Sequence, residues 1–215
     1  MIAARAGPSR PGRNRRSHQV AESIEQLEAQ IRACRICAER FAATATRHAP
    51  QPIVHLSDRA PVLIASQAAG LRAHGSGLPF DDASGDRLRF WLGVDRATFY
   101  DRDLFTIAPM AFCFPGYDAK GHDLPPPPIC AATWRARVLA AMPQVRLSVL
   151  IGGYAQKWHL GTRSVSDAVA RWREFAPAAI PLPHPSWRNT GWLKRNPWFE
   201  AELVPVLRRR VAEAL

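Results

Sequence analysis

The chain has 215 residues, 47% of them hydrophobic, which suits one soluble globular domain with a full apolar core. Its longest apolar runs, around Val62 to Ala65 and Val149 to Ile151, are strand-sized and exclude a membrane-spanning helix. A formal net charge of +11 and a pI near 10.7 point to a polyanionic partner, nucleic acid first among them.

Residues 1–20 hold Arg5, Arg10, Arg13, Arg15 and Arg16 with no acidic residue, plus two prolines and two glycines. This composition predicts a disordered basic arm that attracts nucleic acid. It shares an Arg- and Ser-containing, acid-free character with transit peptides, but without clear amphipathic spacing. Residues 21–215 are expected to form a single domain.

Val20, Ile24, Leu27 and Ile31 recur at helical spacing, so a first helix runs to about Ala33 and delivers Cys34 and Cys37 onto a turn. Residues 61–66 read as a first strand, and Gln67-Ala68-Ala69-Gly70 as the tight turn leaving it. A glycine-rich loop follows from His74 to Ala83, in which Gly75, Gly77 and Gly85 just beyond would let the backbone approach a ligand closely. Ser84 or Asp82 can cap a helix through Leu92. Residues 104–110 read as the second strand. The stretch 114–129, with two glycines and four consecutive prolines, must be a loop that Cys130 closes before a helix over 131–141. A third strand over 145–151, a Gly152-Gly153 turn, a short helix over 154–160 and a helix over 166–175 come next. Asn196 and Pro197 start a final helix that Pro205 should bend. Strand and helix alternate throughout, which predicts an α/β fold: a three-layer α/β/α sandwich around a central four-stranded parallel sheet.

The fourth strand, 178–182, empties into His184-Pro185-Ser186-Trp187-Arg188-Asn189-Thr190-Gly191. Ligands of open α/β sheets bind at the carboxyl ends of the strands, where this histidine falls. Pro185 restricts the backbone on both sides, and Ser186 and Asn189 can hydrogen-bond it locally, so the imidazole is aimed. A capped turn with a surface histidine is the plainer alternative. Arg188, Lys194 and Arg195 interleave with Trp187 and Trp192, the mixture of cations and flat apolar groups that single-strand or flipped-base recognition uses.

The four cysteines fall as Cys34-x2-Cys37 and, after a long gap, Cys113-x16-Cys130. Such thiols can hold zinc or a four-iron cluster, or they can be free thiols packed as small hydrophobes. Their placement in turns favours ligation.

These motifs, taken in order, resemble the uracil-DNA glycosylase superfamily. The cysteine pattern resembles its iron–sulfur branch. His74-Gly75, Gly77, Pro79-Phe80 and Asp82-Ala83-Ser84-Gly85 with Leu88 are most similar to family five, the broad-specificity members. His184-Pro185-Ser186 with Asn189-Thr190 resembles the superfamily's histidine motif. The resemblance spans about residues 30 to 200. It implies a DNA-repair enzyme that hydrolyses the N-glycosidic bond of uracil and other deaminated bases and leaves an abasic site, with no lysine placed for a Schiff base.

Phe80 would stack on the extruded base, Gln67, Ala68 and Gly70 would meet its carbonyl, and Asn189 would complete the base pocket. His184 would donate to the base oxygen where charge develops. The turn after the first strand lacks the carboxylate or asparagine many relatives carry there. Asp82 is the replacement for positioning water, with His74 and Asp81 behind it, although helix capping is an equally good use of Asp82. Where relatives read the base's amide edge with asparagine, this chain has Ala108, Pro109 and Met110, which should broaden substrate use.

Ser186, Trp187, Arg188, Lys194 and Arg195 would grip DNA, and Cys34, Cys37, Cys113 and Cys130 would hold a 4Fe-4S cluster, with zinc as the alternative. The partner is uracil-containing DNA, single- or double-stranded; the protein is expected to be a monomer, cytoplasmic and nucleoid-associated, with no membrane contact. Two other readings compete: a non-catalytic binder of damaged or abasic DNA, and a zinc-stapled module that holds nucleic acid nonspecifically.

Overall fold

The computed structural model describes residues 22–215, so the basic arm and Val20 lie outside the described residues. The first helix, α1 (Ile24–Ala33), opens on a reciprocal capping box. The Ser23 hydroxyl accepts from the Gln26 amide at 3.2 Å, and the Gln26 side chain accepts from the Ser23 amide at 3.1 Å. Ile24, Leu27 and Ile31 are its buried stripe. After Cys34 come the short α2 (Ala38–Ala42) and then β1 (Val62–Ala65).

Four strands form one all-parallel sheet in the order β2-β1-β3-β4, with β2 at Phe105–Ile107, β3 at Leu147–Ile151 and β4 at Ala179–Leu182. β1 and β3 are central; β2 and β4 are the edges. Alternation along β1 divides the core in two. Val62 and Ile64 join Val149, Ile151, Ile180 and Leu182 against helices α4 (Ala83–Leu92) and α11 (Val204–Ala214). Leu63 and Ala65 face the other way, with Leu150, against α1 and α6 (Pro128–Ala140). Both faces of the sheet are covered, so the strands are continuous apolar runs and the three-layer sandwich stands.

Several local expectations are corrected. The glycine-rich segment is not all loop: α3 (Leu71–Ser76) runs through His74 and Gly75 and stops at Gly77, whose φ of +71° suits a glycine terminator. A helix not anticipated, α5 (Arg96–Tyr100), is capped by Asp95, whose Oδ1 accepts from the Thr98 amide at 2.7 Å. α6 begins at Pro128 and contains Cys130. The last proline of the run costs nothing in the first turn, where an N–H has no helical partner. α7 (Gly152–Leu160) starts on the glycine pair itself. The expected single helix over 166–175 is two, α8 (Val165–Ala170) and α9 (Trp172–Phe175), divided at Arg171. After β4, α10 (Thr190–Arg195) follows a 3₁₀ turn at Trp187–Asn189. The irregularity expected at Pro205 lies upstream, as a π-helical turn at Phe199–Leu203. α11 restarts at Val204 with Pro205 in its first turn.

Candidate active site

The carboxyl ends of the strands open on a cleft of about 390 Å³. Residues 66–73 after β1 line it, with residues from Pro79 to Ser84, with Pro109, Pro115, Tyr117 and Asp123 from the connection after β2, and with His184, Ser186, Trp187 and Arg188 after β4. The turn after β1 is held by the sheet's own hydrogen bonding. The amides of Met110 and Ala111 donate to the carbonyls of Ser66 and Gln67 at 2.8 and 3.0 Å. Gly70 then turns the chain into α3.

Phe80 is fixed in an unusual way. Its backbone has a φ of +57°, a region that non-glycine residues rarely occupy and that concentrates at functional sites. Its carbonyl accepts from the guanidinium of Arg89 at 3.3 Å; Arg89 is itself buried and pairs with Asp86 at 2.6 Å. The same carbonyl lies against Gly85 so tightly that a Cβ there would sit 1.8 Å from the oxygen. Gly85 thus allows a close approach, to Phe80 and not to a ligand. Gly75 and Gly77 face open space.

Asp82 caps α4: Oδ1 accepts from the Gly85 amide at 2.9 Å, and among the described residues Oδ2 makes no hydrogen bond. The carboxylate is near enough to His184 to raise its pKa. Capping and a place in the cleft are therefore compatible. His74 and Asp81 are not in the cleft. His74 packs edge-on against His48 at 5.1 Å and beside Phe114 at 5.8 Å, and Asp81 pairs with Arg96 at 2.8 Å.

His184 is aimed by its own loop. The Ser186 amide donates to Nδ1 at 3.2 Å, so in the neutral ring the proton sits on Nε2. Asn189 donates to the His184 carbonyl at 2.7 Å, and Arg87 on α4 donates to the Ser186 carbonyl at 3.2 Å. Asn189 is thus a brace for the histidine and does not line the cleft. Burial pushes the imidazole pKa down; Asp82 and Asp123 oppose this and Arg188 adds to it. The group present at neutral pH is an Nε2–H donor facing a cleft that also contains Phe80 and Asp82.

Trp187 is 77% exposed at the cleft's rim, and Arg188 pairs with Asp123 of the proline-rich loop at 2.9 Å. Lys194 and Arg195 are exposed on α10, outside the cleft lining. Trp192 is no wedge: its indole donates to Ser166 at 2.7 Å and packs against the core beside Trp198 and Phe199. Arg87, Arg89, Tyr117 and Asp123 are cleft or cleft-supporting residues that sequence reasoning missed. Only the alternation of Asp86, Arg87 and Arg89 on a helix beside Phe80 offered a signal, and it reads equally as a solvated face.

All four cysteines are free thiols lining one small apolar pocket with Ile31, Ile36, Ile129 and Trp134. Burial, with the neighbouring thiols adding to it, pushes Cys113 up to about 12 and Cys130 to about 11. Among the described residues no set of three or more His, Cys, Asp or Glu side chains converges on the position of a single metal ion. The donor set is four sulfurs with no carboxylate or imidazole, held round an apolar pocket. Four thiols of this kind fit zinc or an iron–sulfur cluster alike.

Other histidines are wholly or partly buried as well. Burial, aided by Arg102 and Arg32, pushes His55 down to about 4; burial and Arg135 push His159 to about 3; His74 is lowered by burial and His48. With His184, each binds its proton less tightly folded than unfolded. As pH falls below about 6.5 the unfolded chain takes up protons first, so stability declines until the folded values are reached. Melting temperature is expected to be steady near pH 7 and to fall steadily between roughly pH 6.5 and 4. Thermal melts in pH steps check this; a flat profile over that window contradicts it.

No helix among the described residues is long and apolar enough to cross a membrane. A family model described as the uracil DNA glycosylase superfamily matches residues 53–208. The match takes in the whole sheet, the cleft, Cys113 and Cys130, and leaves Cys34 and Cys37 outside it.

Proposed function

We propose that this chain, which belongs to the uracil-DNA glycosylase superfamily, hydrolyses the N-glycosidic bond of uracil in DNA and leaves an abasic site without cutting the strand. The observation that carries the reading is the Nε2–H of His184, fixed by the Ser186 amide, in one cleft with Phe80 and Asp82. An extruded base would stack on Phe80, with the turn at Gln67, Ala68 and Gly70 against its carbonyl edge. His184 donates to the base oxygen as negative charge builds there, and the uncommitted oxygen of Asp82 orients a water toward the sugar. Trp187 would fill the vacated stack, and Arg188 would exchange its Asp123 partner for a flanking phosphate, with Ser186 beside it. Lys194 and Arg195 add charge further along the strand.

Cys34, Cys37, Cys113 and Cys130 would hold the 4Fe-4S cluster, zinc being the alternative. When bound, such a group ties the end of α1 to the start of α6 and serves as a structural clamp. Base release by anaerobically purified protein, with iron and zinc content measured on the same sample, tests both parts. The reading fails if no base is released from a uracil-containing duplex. Lesion-selective binding without release would instead support a non-catalytic damage binder, a reading that the use of Asp82 as a helix cap favours.

Pro109 lines the cleft where relatives present an asparagine, while Ala108 and Met110 are buried on the opposite side of the sheet. A proline has no N–H to offer, so the base's amide edge meets no bidentate partner there. Hypoxanthine or xanthine is expected to be excised within about 100-fold of uracil, because a site without that paired contact discriminates far less than the 10⁴-fold of one that has it. Excision rates on matched oligonucleotides measure this; strong rejection of both purines contradicts it.

A further inference from the structure

We propose that the groove between the segment after α2 and the proline-rich loop is a second binding site, which takes the phosphodiester backbone of DNA flanking the lesion. The groove holds about 720 Å³ and is lined by Arg40, Thr44, Arg47, Tyr117 and Asp118, among others. Tyr117 also lines the catalytic cleft, so the two depressions are adjacent, with one side chain in common. The inference takes DNA as the ligand from the glycosylase reading. The groove's two guanidinium groups lie outside the family match, because Arg40 and Arg47 precede the matched residues 53–208, while Tyr117 and Asp118 on the facing wall lie within it.

Three features suit the groove to phosphate. First, Arg40 and Arg47 are exposed, and among the described residues no ion pair or side-chain hydrogen bond engages either; Arg96, Arg137 and Arg171 are each paired with a carboxylate. Second, the one acidic residue lining the groove is occupied. Asp118 accepts from the amides of Lys120 and His122 at 2.8 and 2.9 Å and from the His122 ring at 3.3 Å. Third, the walls are preformed. The Ala45 amide donates to the Tyr117 carbonyl at 3.2 Å, and Gly116, at a φ of +95°, packs so closely on Thr44 that a Cβ would lie 2.8 Å from its hydroxyl. A chain of hydrogen bonds runs from Thr44 to Thr46 to His48 and on to the Phe114 carbonyl, each step 2.9 Å. Arg47 itself has a φ of +44°, a costly conformation held in place by these ties. Two unpaired guanidinium groups on a rigid wall beside the cleft form a track for successive phosphates.

The test is binding to a duplex carrying a central abasic-site analogue, measured across a salt series for wild type, Arg40→Gln/Arg47→Gln and Arg40→Lys/Arg47→Lys. Melting curves confirm that each variant folds. The glutamine pair is expected to flatten the slope of log K against log salt by about two and to bind about tenfold or more weakly at low salt, while the lysine pair stays near wild type. A glutamine pair with the wild-type slope, or a wild type that does not bind the duplex, overturns the proposal. Base release is measured in parallel. The stated slope change without any base release would keep the groove and remove the glycosylase reading; release with an unchanged slope would do the reverse.

Discussion

His184→Ala is expected to lower the rate of base release about 100- to 1,000-fold, the loss that follows removal of one preorganised donor to a developing oxyanion. Binding of DNA should change little, since the imidazole is enclosed by its loop and makes its contribution late in the reaction, when charge reaches the base. The effect should therefore fall on kcat and leave KM near its original value. His184→Gln restores a donor of similar reach and should recover part of the loss.

The pH profile of the wild type adds an independent check. Burial disfavours the imidazolium, and a proton on Nδ1 would set it against the Ser186 amide, donor to donor. Full activity should persist to a pH below the ordinary histidine range before the acidic limb begins. Single-turnover rates at several pH values measure this. A variant as fast as wild type would remove His184 from the chemistry.

Gly85→Ala is the second large effect, and it acts through a carbonyl. The added Cβ would stand 1.8 Å from the Phe80 oxygen, a backbone atom that cannot rotate away. Either the first turn of α4 shifts, breaking the Asp82 cap, or Phe80 leaves its left-handed conformation and its ring moves in the cleft. A displacement of about 1 Å at a positioning group can cost on the order of 100-fold in rate, and overpacking costs about 1–3 kcal/mol in stability. Both base release and melting temperature should fall together. Gly75→Ala is the control: its Cβ meets nothing within 4 Å, and a helix interior prefers alanine by about 0.5–1 kcal/mol. That variant should melt no lower than wild type. An active, stable Gly85→Ala would mean that Phe80 tolerates displacement.

The architecture was legible because its cause is local. Strand-length apolar runs alternating with helical periods admit few arrangements other than a covered parallel sheet, and the histidine's position at a strand's end follows from that. Phe80, Asp82, Ser186 and His184 all line one cleft. What sequence could not provide was side-chain direction. His74 sits one residue from Ala73, which lines the cleft, yet the helical backbone of α3 turns the imidazole to the opposite side, toward His48. Reading that stretch as a loop concealed this. Asp123 and Tyr117 were passed over because a proline-rich connection has no period from which to infer facing; they reach the cleft through the antiparallel bridge that pairs them.

β4 is an edge strand, with β3 as its one neighbour, and the loop bearing His184 hangs from its end. An edge strand loses only one neighbour's hydrogen bonds when it opens, so the histidine loop is expected to open before β1 and β3 do; hydrogen exchange faster at the β4 amides than at those of β1 checks this. Warming short of the global transition should then silence the enzyme by this partial opening. Cooling should restore it, because the central sheet that templates the strand has never come apart.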